Sequence, residues 1–170
     1  VIEAPEGYWP RVQEICKQYD VLLHIDEVVC GIGRTGTWFG YQHYGVEPDF
    51  VTMAKGVANG MPLGVTIATP EVADAFNALT ISTFGGNPVS SAAANATIDV
   101  IEEEGLAQNA EAMGARLING MEELQRKHPK HLGDVRGKGL MLAIEFVADE
   151  PAGDRTPSPQ TANVVFEAAK

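Results

Sequence analysis

Cysteine is scarce in this chain. Cys16 and Cys30 are the only two in 170 residues, with no CxxC pair and no zinc-like spacing. That excludes a disulfide scaffold and a cysteine-built metal site, and two reduced thiols suit a cytoplasmic protein. Basic charge is short as well: 12 Lys and Arg stand against 23 Asp and Glu, for a formal net charge of −11. The chain therefore lacks the basic footprint of a nucleic-acid binder, and anionic lipid would repel it. No apolar run approaches the roughly 20 residues of a membrane-spanning helix. The opening VIEAPEGYWP has neither the basic nor the apolar region of a signal peptide. An initiator Met is missing, and the closing TANVVFEAAK keeps a helical pattern with no Gly or Pro stop, so both ends read as cut from a longer polypeptide.

Hydrophobic residues make up 45% of the chain, enough for a domain or a domain and a half. Pro10, Val12, Ile15, Cys16 and Tyr19 follow the spacing of an amphipathic helix. A buried strand is expected at 21–25, irregular structure over the Gly- and aromatic-rich 31–48, and short strands at Phe50–Met53 and Val65–Ala68. Thr69-Pro70 reads as a cap and helix start, with Val72, Ala75, Phe76 and Leu79 as its stripe. Asn87-Pro88 repeats the device and opens a helix to about Glu104, stopped by Gly105. Leu106, Ala110, Met113, Leu117 and Leu124 mark another. Leu140, Leu142, Ile144 and Phe146 then alternate with Met141, Ala143 and Glu145, as in a strand. The segment 149–160 reads as a polar loop. Apolar strands alternating with helices imply an α/β fold with both sheet faces covered, followed after about residue 101 by an α+β region.

The stretch VLLHIDEVV, residues 21–29, ends a strand in two carboxylates, Asp26 and Glu27. One reading is a nucleotide-binding ATPase module, with Asp26 serving magnesium and Glu27 positioning water. It requires a GxxxxGK[ST] loop, which this chain lacks. GIGRTG, residues 31–36, matches GxGxxG by letter, but Asp26–Cys30 separate it from the strand and no helical stripe follows. His24 and Asp26 share a strand face and could join His43 at a metal, yet no compact ligand set such as HExxH accompanies them.

Lys55 suggests different chemistry. It is flanked by Ala54 and Gly56 just past a strand. If desolvated there, its amine becomes a nucleophile for Schiff-base formation; the plain alternative is a lysine reaching solvent. Asp26 and Lys55 both lie at C-terminal strand ends, about 4.8 Å apart if the strands are neighbours, on the edge where open α/β sheets bind ligands. STFGGNP, residues 82–88, supplies Ser82, Thr83, two glycines and a helix start, a combination suited to phosphate. Taken together, the three parts fit a ligand with a phosphate, an aldehyde for Lys55 and a basic ring nitrogen for Asp26.

IDEVVCGIGRTG, PDFVTMAKG, STFGGNP and VRGKGLMLAIE occur in the order and at the spacing of a known family. The chain resembles the class III pyridoxal-5′-phosphate (PLP)-dependent aminotransferases of fold type I across essentially its whole length. Members are typically more than twice as long. The resemblance implies that residues 1–101 form the later half of the large cofactor-binding domain, with its mixed, mostly parallel sheet, and that 102–170 begin the small C-terminal domain. It implies that Lys55 forms the Schiff base with PLP and moves the substrate proton, and that Asp26 pairs with the ring nitrogen. It further implies that Val28 packs on a ring face and that Thr83, beside Ser82, binds phosphate from the neighbouring subunit of a homodimer or dimer-based tetramer. Glu27 would support the site through its own hydrogen bonds. Many members carry Gln after the DEV, bonding the cofactor's phenolic oxygen; Val29 stands there and cannot. The family's upstream phosphate loop, ring-covering aromatic and carboxylate-binding arginine lie outside this chain. The implied reaction moves an amino group from a primary amine or ω-amino acid to a 2-oxo acid such as pyruvate or glyoxylate. An aminomutase or decarboxylase on the same fold is the alternative.

Overall fold

The computed structural model describes residues 1–148 and 155–170. The chain parts into two compact units, Ala4–Ala110, and Val1–Glu3 with Glu111–Lys170.

In the first unit Gly7 takes a left-handed φ of 80° that turns the chain into α1, Tyr8–Gln18. Trp9, Val12 and Cys16 of α1 pack with Tyr41 and Tyr44 against buried Leu23, Ile25, Val46 and Val51. Burying such aliphatic side chains is worth about 1.5–3 kcal/mol each. The strand expected at 21–25 is shorter and later: β1 is His24–Asp26. Val21 and Leu22 are each 56% exposed. The Leu23 amide donates to Asp49 Oδ2 at 2.6 Å and its carbonyl accepts from the Asp49 amide at 2.9 Å, which fixes the approach before the ladder begins. Nor is β1 covered on both sides. Ile25 is buried, whereas His24 and Asp26 on the opposite face are exposed.

β2, Phe50–Met53, runs parallel to β1, with His24 opposite Phe50 and Asp26 opposite Thr52. β3, Val65–Ala68, pairs with β2 antiparallel, so the sheet is mixed with order β1-β2-β3. Between β2 and β3 lies a 3-10 turn, Lys55–Ala58, whose Val57 and Ala58 are buried.

α2 spans only Pro70–Asp74, and the Thr69 hydroxyl makes no cap bond. The expected stripe is therefore not a buried helix face here: Phe76 is 61% exposed and Leu79 is 90% exposed. A single uncapped turn has little to extend it without apolar surface to pack on. α3, Pro88–Glu103, is as the sequence suggests. Asn87 Oδ1 accepts from the Ser90 amide at 2.9 Å, and Gly105 at φ 61° ends the run. α4 follows at Leu106–Lys127.

In the second unit an antiparallel hairpin joins β4, Leu132–Lys138, to β5, Met141–Phe146. Leu140 belongs to the turn rather than to the strand. β4 has no apolar alternation to announce it; cross-strand charge holds it. The Arg136 guanidinium bonds Asp134 at 2.6 Å and Glu145 at 3.0 Å, while its Nε donates to the Val1 carbonyl at 2.7 Å. Of the loop expected at 149–160, residues 149–154 lie outside the described residues. Pro157 bridges to Val147, and Pro159 already opens α5, Pro159–Ala168, capped by Ser158.

Candidate active site

The parallel pairing of β1 and β2 brings Asp26 and Lys55 out at the same sheet edge. Asp26 is the last residue of β1, opposite Thr52, and Lys55 lies three residues after Thr52, just past the end of the adjoining strand β2. Both side chains are exposed. Lys55 stands just past the buried end of β2, and among the described residues it is a lysine reaching solvent rather than a desolvated amine. Its backbone is nonetheless unusual, with φ of 52° in the left-handed region.

One oxygen of Asp26 is committed. Oδ1 accepts the Val28 amide at 2.9 Å, which turns the chain sharply and leaves Val28 half-buried beside the carboxylate. Val29, where the resemblance leads one to expect Gln, is 44% exposed.

Glu27 behaves oppositely to Asp26. It is only 2% exposed, and its two oxygens accept the Gly40 and Tyr41 amides at 3.0 and 2.9 Å. Those amides open the 3-10 helix Gly40–Tyr44. The Glu27 amide donates to the Thr52 carbonyl at 2.8 Å, carrying the ladder one residue beyond β1. Gly31 must be small here, since an added Cβ would sit 2.9 Å from the Glu27 carbonyl oxygen. Buried and turned onto two backbone amides, Glu27 is withdrawn from solvent, and the nucleotide-hydrolysis reading of Asp26 and Glu27 loses its second residue.

The electrostatic consequences fall on neighbours that the sequence did not single out. Burial, then Glu27 and then Asp26, push the Cys30 thiol above its usual range, against an opposing pull from Arg34. Burial, then Glu27 and then Glu47, raise the Tyr41 phenol likewise.

The histidines of the metal reading are separately engaged. His24 stacks flat on Phe50 with centroids 4.5 Å apart, and its Nε2 lies 3.0 Å from Thr52 Oγ1. His43 Nε2 lies 3.0 Å from the Thr35 carbonyl and 3.2 Å from Thr37 Oγ1. GIGRTG forms successive turns closed by Ile32 and Gly33 amides on the Trp38 carbonyl, and no α-helix opens from them, so the dinucleotide match is one of letters.

Ser82 and Thr83 lie exposed in a turn before α3. The Gly85 amide donates to the Ser82 carbonyl at 3.2 Å, and a Cβ on Gly85 would meet Ser82 Cβ at 2.8 Å. Gly86 has φ of 65°. The glycines thus serve the turn itself. Among the described residues no hydrogen bond links this turn to Asp26 or Lys55.

The sequence profile of the family Aminotransferase class-III matches residues 1–169. The hypotaurine/taurine–pyruvate aminotransferase of Paracoccus denitrificans is 51% identical over 98% of this chain and 38% of its own length. The taurine–pyruvate aminotransferase of Rhodobacter capsulatus is 48% identical over 99% of the chain and 39% of its own. The crystal structure of taurine:2-oxoglutarate aminotransferase from Bifidobacterium kashiwanohense, solved with PLP and glutamate, superposes with a TM-score of 0.88. It is 31% identical, and the match covers 99% of this chain and 39% of that one. The chain thus spans about two-fifths of the length of the curated relatives it matches. The α/β fold is that of the fold type I transferases. On the sequence profile, the identities and the fold together, the chain belongs to the class-III aminotransferases.

Proposed function

We infer that the protein is a PLP-dependent aminotransferase that moves an amino group from a primary amine or ω-amino acid, taurine among them, to pyruvate. The observation that carries this reading is the emergence of Asp26 and Lys55 from adjacent parallel strands at one edge, inside a chain of this family. The relatives named for taurine and pyruvate support the choice of donor and acceptor.

The donor set fits the cofactor. It offers an amine for the aldehyde, a carboxylate for the ring nitrogen, and hydroxyls with a helix start for the phosphate. When bound, PLP supplies an electron sink for the charge left at the substrate Cα. Asp26 favours the protonated ring nitrogen, since an adjacent carboxylate stabilises a cation. The Val28 amide on Oδ1 holds that carboxylate in one orientation. Lys55 would hold the cofactor by its aldehyde carbon and, as a free amine, would carry the proton from the substrate Cα to that carbon. Val28 lies beside Asp26 to pack on the ring. Ser82 and Thr83 serve phosphate, Thr83 that of the neighbouring subunit in a homodimer. Exposed Ile81, Phe84 and Val89 around the turn support such an apolar partner. The thiol content supports a cytoplasmic setting.

Turnover of the full-length enzyme with taurine and pyruvate tests the reading: alanine should form in step with taurine loss, and Asp26→Asn should lower kcat by about a hundredfold or more. Product formation from an amino acid without any oxo acid would instead favour an aminomutase or decarboxylase.

A further inference from the structure

Four non-glycine residues have left-handed φ among the described residues: Asp20, Ile32, Lys55 and Asn59. Asp and Asn tolerate that region; a β-branched isoleucine and a lysine do not adopt it without cause. Ile32 has φ of 66° and Lys55 has φ of 52°.

One apolar cluster joins Ile32 to the turn that Lys55 opens. Val57 and Ala58, in the turn that Lys55 opens, are buried with Ala94 of α3, and Ile32 packs against them beside Leu63, Val65 and Ala93. The tip of Ile32 reaches the residue next to the lysine: a Cβ built on Gly56 would lie 4.0 Å from Ile32 Cδ1. Ile32 is held from behind, since its amide donates to the Trp38 carbonyl at 2.6 Å and the Gly33 amide shares that acceptor. Strained backbone persists only where its surroundings over-determine it. A glycine or asparagine at 32 would make the turn with less strain, so what isoleucine adds is its side chain.

Resting on the assignment of Lys55 as the cofactor-bearing lysine, we propose that Ile32 is a positioning residue for Lys55. Its side chain props the Lys55–Ala58 turn from below and fixes the direction in which the lysine leaves β2. The role acts through the turn and needs no contact with substrate.

The test uses the full-length holoenzyme. Ile32→Val removes Cδ1 alone and keeps the fold; Ile32→Leu restores the reach. Borohydride reduction with peptide mass spectrometry locates the cofactor, and visible circular dichroism reads the asymmetry of its setting. In Ile32→Val the cofactor should remain on Lys55 with altered visible dichroism, and kcat should fall about three- to tenfold while KM stays within about twofold. Ile32→Leu should return both towards the parent. A Val variant with parental dichroism and kcat overturns the proposal, as does a loss confined to KM. Cofactor fixed on another residue of the parent refutes the functional reading itself, and the role of Ile32 with it.

Discussion

Replacing Glu27 by Gln tests how the edge between β1 and β2 is held. The carboxylate is buried and takes two backbone amides, Gly40 at 3.0 Å and Tyr41 at 2.9 Å. Glutamine keeps one acceptor oxygen and turns an NH2 towards the other amide. One buried N–H then loses its partner, and the surviving bond loses its charge assistance. The expected cost is about 2–4 kcal/mol. If the Gly40–Tyr44 turn opens locally, that cost corresponds to amide exchange there faster by roughly thirty- to a thousandfold. Hydrogen–deuterium exchange of the full-length protein, followed in peptides over 38–45 and 50–53, measures it. The first should gain exchange far more than the second, because the β1–β2 ladder is carried by backbone bonds that the substitution leaves alone. Unchanged exchange at 38–45, or an equal rise in both peptides, would refute the clamp.

The same substitution should change Cys30. Burial and the two carboxylates raise its thiol, so alkylation by iodoacetamide near pH 8 should be slower than for an exposed thiol, and Glu27→Gln should speed it; an unchanged rate contradicts the electrostatic assignment. Because the unfolded chain ionises this thiol first, its contribution to stability is complete below the ordinary thiol range. That contribution is lost as pH rises through the raised value. In the second unit, Gly114→Ala should destabilise despite alanine's better helix propensity, since the added methyl would land on the Gly139 carbonyl in the hairpin turn. A raised melting temperature for that variant would show that helix and turn are not in contact.

Much of the fold was legible because its signals are local. Asn87-Pro88 and Gly105 bracket α3 through a side-chain cap and a left-handed stop, which need nothing from distant residues. Phe50–Met53 and Val65–Ala68 were legible as compact β-branched runs. Where the outcome depends on what a segment meets, the letters misled. The stripe through Phe76 and Leu79 has helical spacing but no surface among the described residues to bury it. β4 was missed because Gly133, Asp134, Gly137 and Lys138 look like a loop until the Glu145 side chain reaches Arg136 from the facing strand. At the site, Asp26 and Lys55 were found by type and position. Ile32 was not, because its significance lies in a backbone angle and a packing partner that spacing does not encode.

The most direct measurement is reduction of the full-length holoenzyme with borohydride, followed by peptide mass spectrometry. The mass of reduced cofactor should appear on the peptide carrying Lys55 and be absent from a Lys55→Ala variant. Cofactor fixed elsewhere, or an unaltered adduct in that variant, would contradict the assignment of the strand-end lysine as the centre of the chemistry.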